Sequence, residues 1–219
     1  GSNYTSWMWK RHAGFDVATY GPSTGTAPYG FHHSLGRIPE MIWIKVRDDS
    51  RSWGVYHKGL NGGTNPEQYY LQLPDVDAEN ASVYMWNNTA PTATTVILGT
   101  GYPVNLPANS HRVALLFASV EGISKVGYYA GSDSPQTITT GFSPKLLIAR
   151  NISIAEDWGV WDTFRGWSAG NDKMLKLNTT AAQGNYNFGD GPSSTGFTFN
   201  GNETMMNNAG NNYIYYAHA

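Results

Sequence analysis

Two stretches of this chain repeat one another at a fixed internal spacing. Pro39-Glu40-Met41-Ile42-Trp43-Ile44-Lys45-Val46 leads to Trp53-Gly54-Val55-Tyr56. Pro144-Lys145-Leu146-Leu147-Ile148-Ala149-Arg150 leads to Trp158-Gly159-Val160-Trp161. In both, the tryptophan stands 14 positions after the proline. Each copy runs proline, apolar strand, basic residue, polar loop, then Trp-Gly-Val-aromatic. A repeat of this length predicts an internal duplication, one structural unit built twice, and it is read before any other feature. The halves span residues 14–119 and 122–219, after a lead segment 1–13 whose Gly1-Ser2 reads as a cloning remnant. The halves join at Val120-Glu121-Gly122, too short for a flexible tether, so they are expected to pack as one unit.

The elements inside each half read as strands. Residues 41–46 are apolar at nearly every position, the pattern of a strand covered on both faces. In Trp53–His57, Trp53 and Val55 share one face, Gly54 and Tyr56 the other. Tyr69-Tyr70-Leu71-Gln72-Leu73 alternates and is echoed by Met174-Leu175-Lys176-Leu177, with Lys176 in the outward place of Gln72. Val96-Ile97-Leu98-Gly99 is echoed by Phe197-Thr198-Phe199-Asn200. Each half closes on a dense apolar strand, residues 112–118 and 213–217. No helical period persists for three turns. The expected fold is all-β: antiparallel β-sandwiches from two homologous halves in a pseudo-twofold relation.

Composition narrows the function. The formal charge is −2 with no Lys/Arg cluster, which argues against nucleic acid as a partner. With no cysteine, disulfides, thiolate metal sites and a cysteine nucleophile are excluded. No apolar run approaches the ~20 residues of a membrane-spanning helix. Charged residues make up 14% and aromatics another 14%, the profile of a turn-rich β protein.

Five segments carry a resemblance: Gly14-Phe15-Asp16-Val17 to Tyr20; His33 to Ile42, written His-x-Leu-Gly-x-x-Pro-Glu-Met-Ile; Trp53 to Lys58; Trp86-Asn87-Asn88-Thr89-Ala90-Pro91-Thr92; and Phe117 to Tyr129. Together they resemble a domain recurring in tail-fibre-like and other virion structural proteins of tailed phages, many of them marine. The resemblance covers nearly the whole chain and carries no catalytic residues. It implies a virion surface module that touches the host. Its partners would be a bacterial surface polysaccharide or other envelope receptor and other virion proteins, with a homotrimer formed through regions outside this chain. The second half departs most, with Trp161-Asp162-Thr163 where the first has Tyr56-His57-Lys58, and an additional Trp167.

Aromatic faces stack on sugar rings, and neighbouring polar groups bond hydroxyls. The candidate ligand residues are therefore Tyr56, His57 and Lys58, then Tyr69, Trp86, Asn87 and Trp167. Each has a plainer reading as core or rim. Loops 57–68, 84–94 and 162–173 are where specificity is expected. No metal or cofactor is expected: Asp75-Val76-Asp77-Ala78-Glu79 lacks the spacing of a calcium loop, and the adjacent His32 and His33 point to opposite strand faces. No nucleophile elbow or phosphate loop is present, and Glu156-Asp157 reads as solvated charge, so the chain is not read as an enzyme. Glycan binding on a virion is the favoured function. A passive structural module and a polysaccharide depolymerase remain as alternatives.

Overall fold

The structure, a computed structural model, describes residues 6–201 and 203–219; Gly1-Ser2 lies outside the described residues. The strands of the first part are β1 (Phe15–Tyr20), β2 (Tyr29–His32), β3 (Met41–Val46), β4 (Trp53–His57), β5 (Tyr69–Leu73), β6 (Asn80–Ala81), β7 (Thr95–Leu98) and β8 (Arg112–Phe117). Those of the second are β9 (Ser124–Ala130), β10 (Gln136–Thr139), β11 (Leu146–Asn151), β12 (Gly159–Asp162) and β13 (Trp167–Ser168). They continue with β14 (Asn171–Lys176), β15 (Gly184–Tyr186), β16 (Gly191–Pro192), β17 (Gly196–Phe199) and β18 (Asn212–His218). Among the described residues the α-helical content is one turn, α1 (Val83–Trp86). The chain is a mostly β protein of several antiparallel sheets, as its alternation predicts.

The strand order of the first large sheet is β1-β8-β3-β4-β5-β6, and that of the second is β9-β18-β11-β12-β14-β13, with β15 on the side of β14. Two smaller sheets, β2-β7 and β10-β17-β16, complete the fold. The duplicated segments occupy matching places: β3 lies between β8 and β4, and β11 between β18 and β12. Register agrees with the sequence echo as well. Gln72 sits opposite Gly54, and Lys176 opposite Gly159.

Three cores explain why β3 and β11 are apolar throughout. Met41 and Trp43 face one core, Ile42 and Ile44 another. On β11, Leu146 and Ile148 face the same core as Met41, while Leu147 and Ala149 face a third. The first core is thus shared by the two large sheets. In it Trp43 makes edge contacts with both Trp53 and Trp158, each at 6.4 Å between ring centroids, and Phe117 lies 5.0 Å from Tyr216. Trp158 is buried. Trp53 is only half-buried because it opens its strand. The other two cores fill each half separately, around Phe31, Val96 and Leu98 in one and Ile138, Phe197 and Phe199 in the other.

Polar contacts also cross between the halves. His57 is fully buried; its Nδ1 accepts from the Gly59 amide at 3.0 Å, which makes Nε2 the donor to the Tyr215 carbonyl at 3.2 Å. Arg150 donates to the carbonyls of Gln72, Asp75 and Asp77, and its guanidinium lies 4.9 Å from the Trp158 ring centroid. Burial pulls Arg150 down to about 10, which leaves it charged at neutral pH.

Candidate functional site

The residues proposed from sequence separate into those that build the interior and those that border a surface cleft. Tyr56 is buried, with its ring edge-on to Trp86 at 5.6 Å. His57 is the buried crosslink described above. Lys58 ion-pairs with Glu40 at 2.5 Å. Burial pushes the Glu40 carboxyl up, but hydrogen bonds from Lys58 and Ser119 outweigh it and hold the group below its ordinary range. Trp167 is buried against Phe197. Trp86 is buried and donates its indole N–H to the Tyr69 carbonyl at 2.9 Å. A ring face closed in a core cannot stack on a sugar. Tyr56, His57, Trp86 and Trp167 thus lie in the interior as parts of the scaffold, and Lys58 is held in its ion pair.

Trp86 nonetheless anchors a turn that borders a surface cleft. Ser82 caps α1 by accepting from the Tyr84 amide at 3.2 Å, and Asn87, in the left-handed region at φ 50°, ends the turn. Met85 and Trp86 point inward, so Val83 and Tyr84 must point out. The loop after β7 then lies flat on this turn: Gly99 donates to the Met85 carbonyl at 3.0 Å and Gly101 to the Tyr84 carbonyl at 2.7 Å. A side chain at Gly99 would place its Cβ 2.3 Å from the Tyr84 oxygen, so glycine is required for this close approach. The loop delivers Tyr102 to the surface, where the Arg51 guanidinium lies 4.9 Å from its ring centroid.

The product is an open cleft of about 480 Å³ bordered by Tyr70, Tyr84 and Tyr102, with Gln72, Ser82 and Thr100 as its polar groups. Tyr84 is 66% exposed and Tyr102 44%. Among the described residues no charged side chain lines it, and Arg51 flanks Tyr102. Tyrosine faces with hydroxyl and amide groups between them suit a neutral, hydroxyl-rich ligand. Tyr69 and Asn87 border this region as supports, through the Tyr69 carbonyl and the Asn87 turn. Sequence reasoning missed Tyr84 and Tyr102. The signals that find them are a serine cap two residues before Tyr84 and a Gly-x-Gly before Tyr102.

The remaining candidates are structural. Asp157 holds Lys176 at 2.5 Å and Asn178 at 2.6 Å, and these bonds keep it below its usual range although burial pushes the other way. Among the described residues no cluster of three or more His, Asp or Glu is arranged to hold a metal ion.

Two buried pairs also recur, one in each half. Tyr20 donates to the Val104 carbonyl and Tyr129 to the Met206 carbonyl, both at 2.7 Å. The next residues, Asn105 and Asn207, are fully buried and make matching bonds. Asn105 donates to Thr26 and Gly99 and accepts from Gly25; Asn207 donates to Ser134 and Asn200 and accepts from Ser132. In the first half this network fixes the loop that carries Tyr102.

Comparison with curated proteins and with solved structures finds no match. A family model matches residues 1–219 in full, and the chain belongs to that family, described as Domain of unknown function (DUF7483).

Proposed function

We propose that the chain is a surface module of a tailed-phage virion that binds a host envelope glycan in the tyrosine cleft. The observation that carries the binding reading is the exposure of Tyr84 and Tyr102 beside Tyr70 around 480 Å³ of neutral, hydroxyl-lined space. The virion setting rests on the segments quoted from Gly14 to Tyr129. Such a cleft is shallow, and single-site affinity in it is low. Repeated display on a fibre, with trimerisation outside this chain, multiplies a weak contact into firm adsorption.

The scaffold on this reading is a duplicated β-sandwich whose halves sit about a near-twofold axis. The matching strand order of the large sheets and the paired Tyr20/Asn105 and Tyr129/Asn207 networks support it. The halves have since diverged in use. Leu98-Gly99-Thr100-Gly101-Tyr102 in the first corresponds to Phe199-Asn200-Gly201-Asn202-Glu203 in the second, which has no tyrosine at the matching place.

The test is binding of the labelled chain to a panel of candidate host cells, competed with their purified surface polysaccharide. Tyr84→Ala and Tyr102→Ala should each cut cell binding severalfold while leaving the melting temperature within a degree or two of the parent. Equal binding by parent and variants would favour a passive structural module. Release of reducing ends from the polysaccharide would favour a depolymerase.

A further inference from the structure

A second aromatic cleft lies on the other half of the molecule, where the lead segment crosses the second large sheet. Trp7 and Trp9 pin that segment down. Trp9 packs on Phe15, Phe117 and Tyr216 at 5.6, 5.9 and 6.5 Å. Trp7 donates its indole N–H to Asp162 Oδ2 at 3.2 Å, and the Arg165 guanidinium lies 5.5 Å from its ring centroid. Between them Met8 is left 89% exposed, and across the cleft Phe164 is 98% exposed. These side chains wall a space of about 290 Å³ that also meets Lys145 and His218. On the far side of Trp7 a second space of about 670 Å³ continues past Arg165 to Thr179, Thr180 and Gln183.

The charges here differ from those at the tyrosine cleft. Asp162 is neutralised by Arg165, with Nε to Oδ2 at 2.5 Å. Lys145 is exposed, lines the cleft and makes no side-chain hydrogen bond or ion pair with any described residue. An apolar cleft with one unpaired cation at its rim selects a ligand with an apolar face and a negative charge. At about 290 Å³ the space holds one ring-sized unit, while the neighbouring polar space accepts what is joined to it. We infer that this groove binds an acidic oligosaccharide, a hexuronate ring lying against Trp7 and Phe164 with its carboxylate on Lys145 and the next sugars running past Trp7 toward Thr179 and Thr180. Carboxylate on ammonium is a charge-assisted contact and gives the discrimination; the aromatic rings give the affinity common to charged and neutral sugars.

The site stands apart from the tyrosine cleft, and its test separates the two. The intact chain is titrated with digalacturonate and with the neutral disaccharide of the same linkage, following tryptophan fluorescence and heat. The acid should bind about tenfold tighter than the neutral sugar. Lys145→Gln should erase that preference and leave neutral binding unchanged, Phe164→Ala should weaken both sugars, and Tyr84→Ala should leave binding of the acid unchanged. All three substituted side chains are exposed, so the variants should fold. Failure of digalacturonate to saturate the chain, a preference that survives Lys145→Gln, or indifference to Phe164→Ala would each overturn the assignment.

Discussion

Two tryptophan-sized decisions turn on which way a single residue points. Trp86 sits among Asn87 and Asn88 in the sequence, where it looks like a loop aromatic, yet one helical turn carries it inward and carries Tyr84, two residues earlier, outward. Four residues are too few to establish a period, so this reversal was not legible from sequence. It gives opposite expectations for the two positions. Trp86→Ala should cost about 3–5 kcal/mol of stability by opening a cavity beside Tyr56, read as a fall in denaturation midpoint. Tyr84→Ala should leave that midpoint in place and reduce only glycan binding. His57 presents a different residue-scale consequence. Burial depresses its imidazole to about 3, against an ordinary 6.5, so the unfolded chain takes up a proton there that the folded chain refuses. Stability is therefore whole above pH 6.5 and declines as pH falls toward 3, by at most ~1.4 kcal/mol per unit from this group. His33 and His218, also lowered by burial, act in the same direction. Melting temperature recorded from pH 7 to 5 should fall. His57→Gln should flatten the slope at some cost in stability at pH 7; an unchanged slope would remove His57 as its main source.

At the scale of elements, the strands were legible because two independent patterns agreed. Alternation gave the faces, and the repeat gave the boundaries: Gln72 and Lys176 occupy matching register positions as the echo required. The loops were less legible, since nothing in a short polar stretch says where its carbonyls will be satisfied. Asn105 and Asn207 show the missing information. In sequence each is one asparagine among many. In the fold each joins the loop after the first strand of its half to the loop after β7 or β17, from beside a tyrosine bond of identical length. A buried carbonyl left without its donor costs roughly 1–3 kcal/mol. Asn105→Ala and Asn207→Ala should thus each destabilise the chain, by roughly 3 kcal/mol apiece. They lie in separate halves with no shared partners, so the double variant should be additive within ~0.5 kcal/mol. A large loss at one asparagine and none at the other would show that the two networks are not equivalent supports. Asn105→Ala should in addition weaken cleft binding, because Gly99 anchors the loop that ends in Tyr102.

For the whole molecule the decisive fact is that the halves meet through their large sheets. The sequence pattern predicts that residues 41–46 are covered on both faces, but it does not say by what. The answer is that one face of β3, like one face of β11, is covered by the other half, with Met41, Trp43, Val55 and Phe117 on one side and Leu146, Ile148, Trp158 and Tyr216 on the other. Separated, each half would present that face to water as a contiguous apolar patch. It would also lose the His57–Tyr215 bond and leave the carbonyls of Gln72, Asp75 and Asp77 without Arg150. The shared core argues against two units that fold alone. Residues 14–119 and 122–219 expressed separately should each lack a cooperative thermal transition and a structured near-ultraviolet dichroism spectrum, while the intact chain should unfold in one step with calorimetric and van't Hoff enthalpies in agreement. Two resolved transitions in the intact chain, or a folded isolated half, would mean that the inter-sheet core is an interface between finished domains and not the centre of a single one.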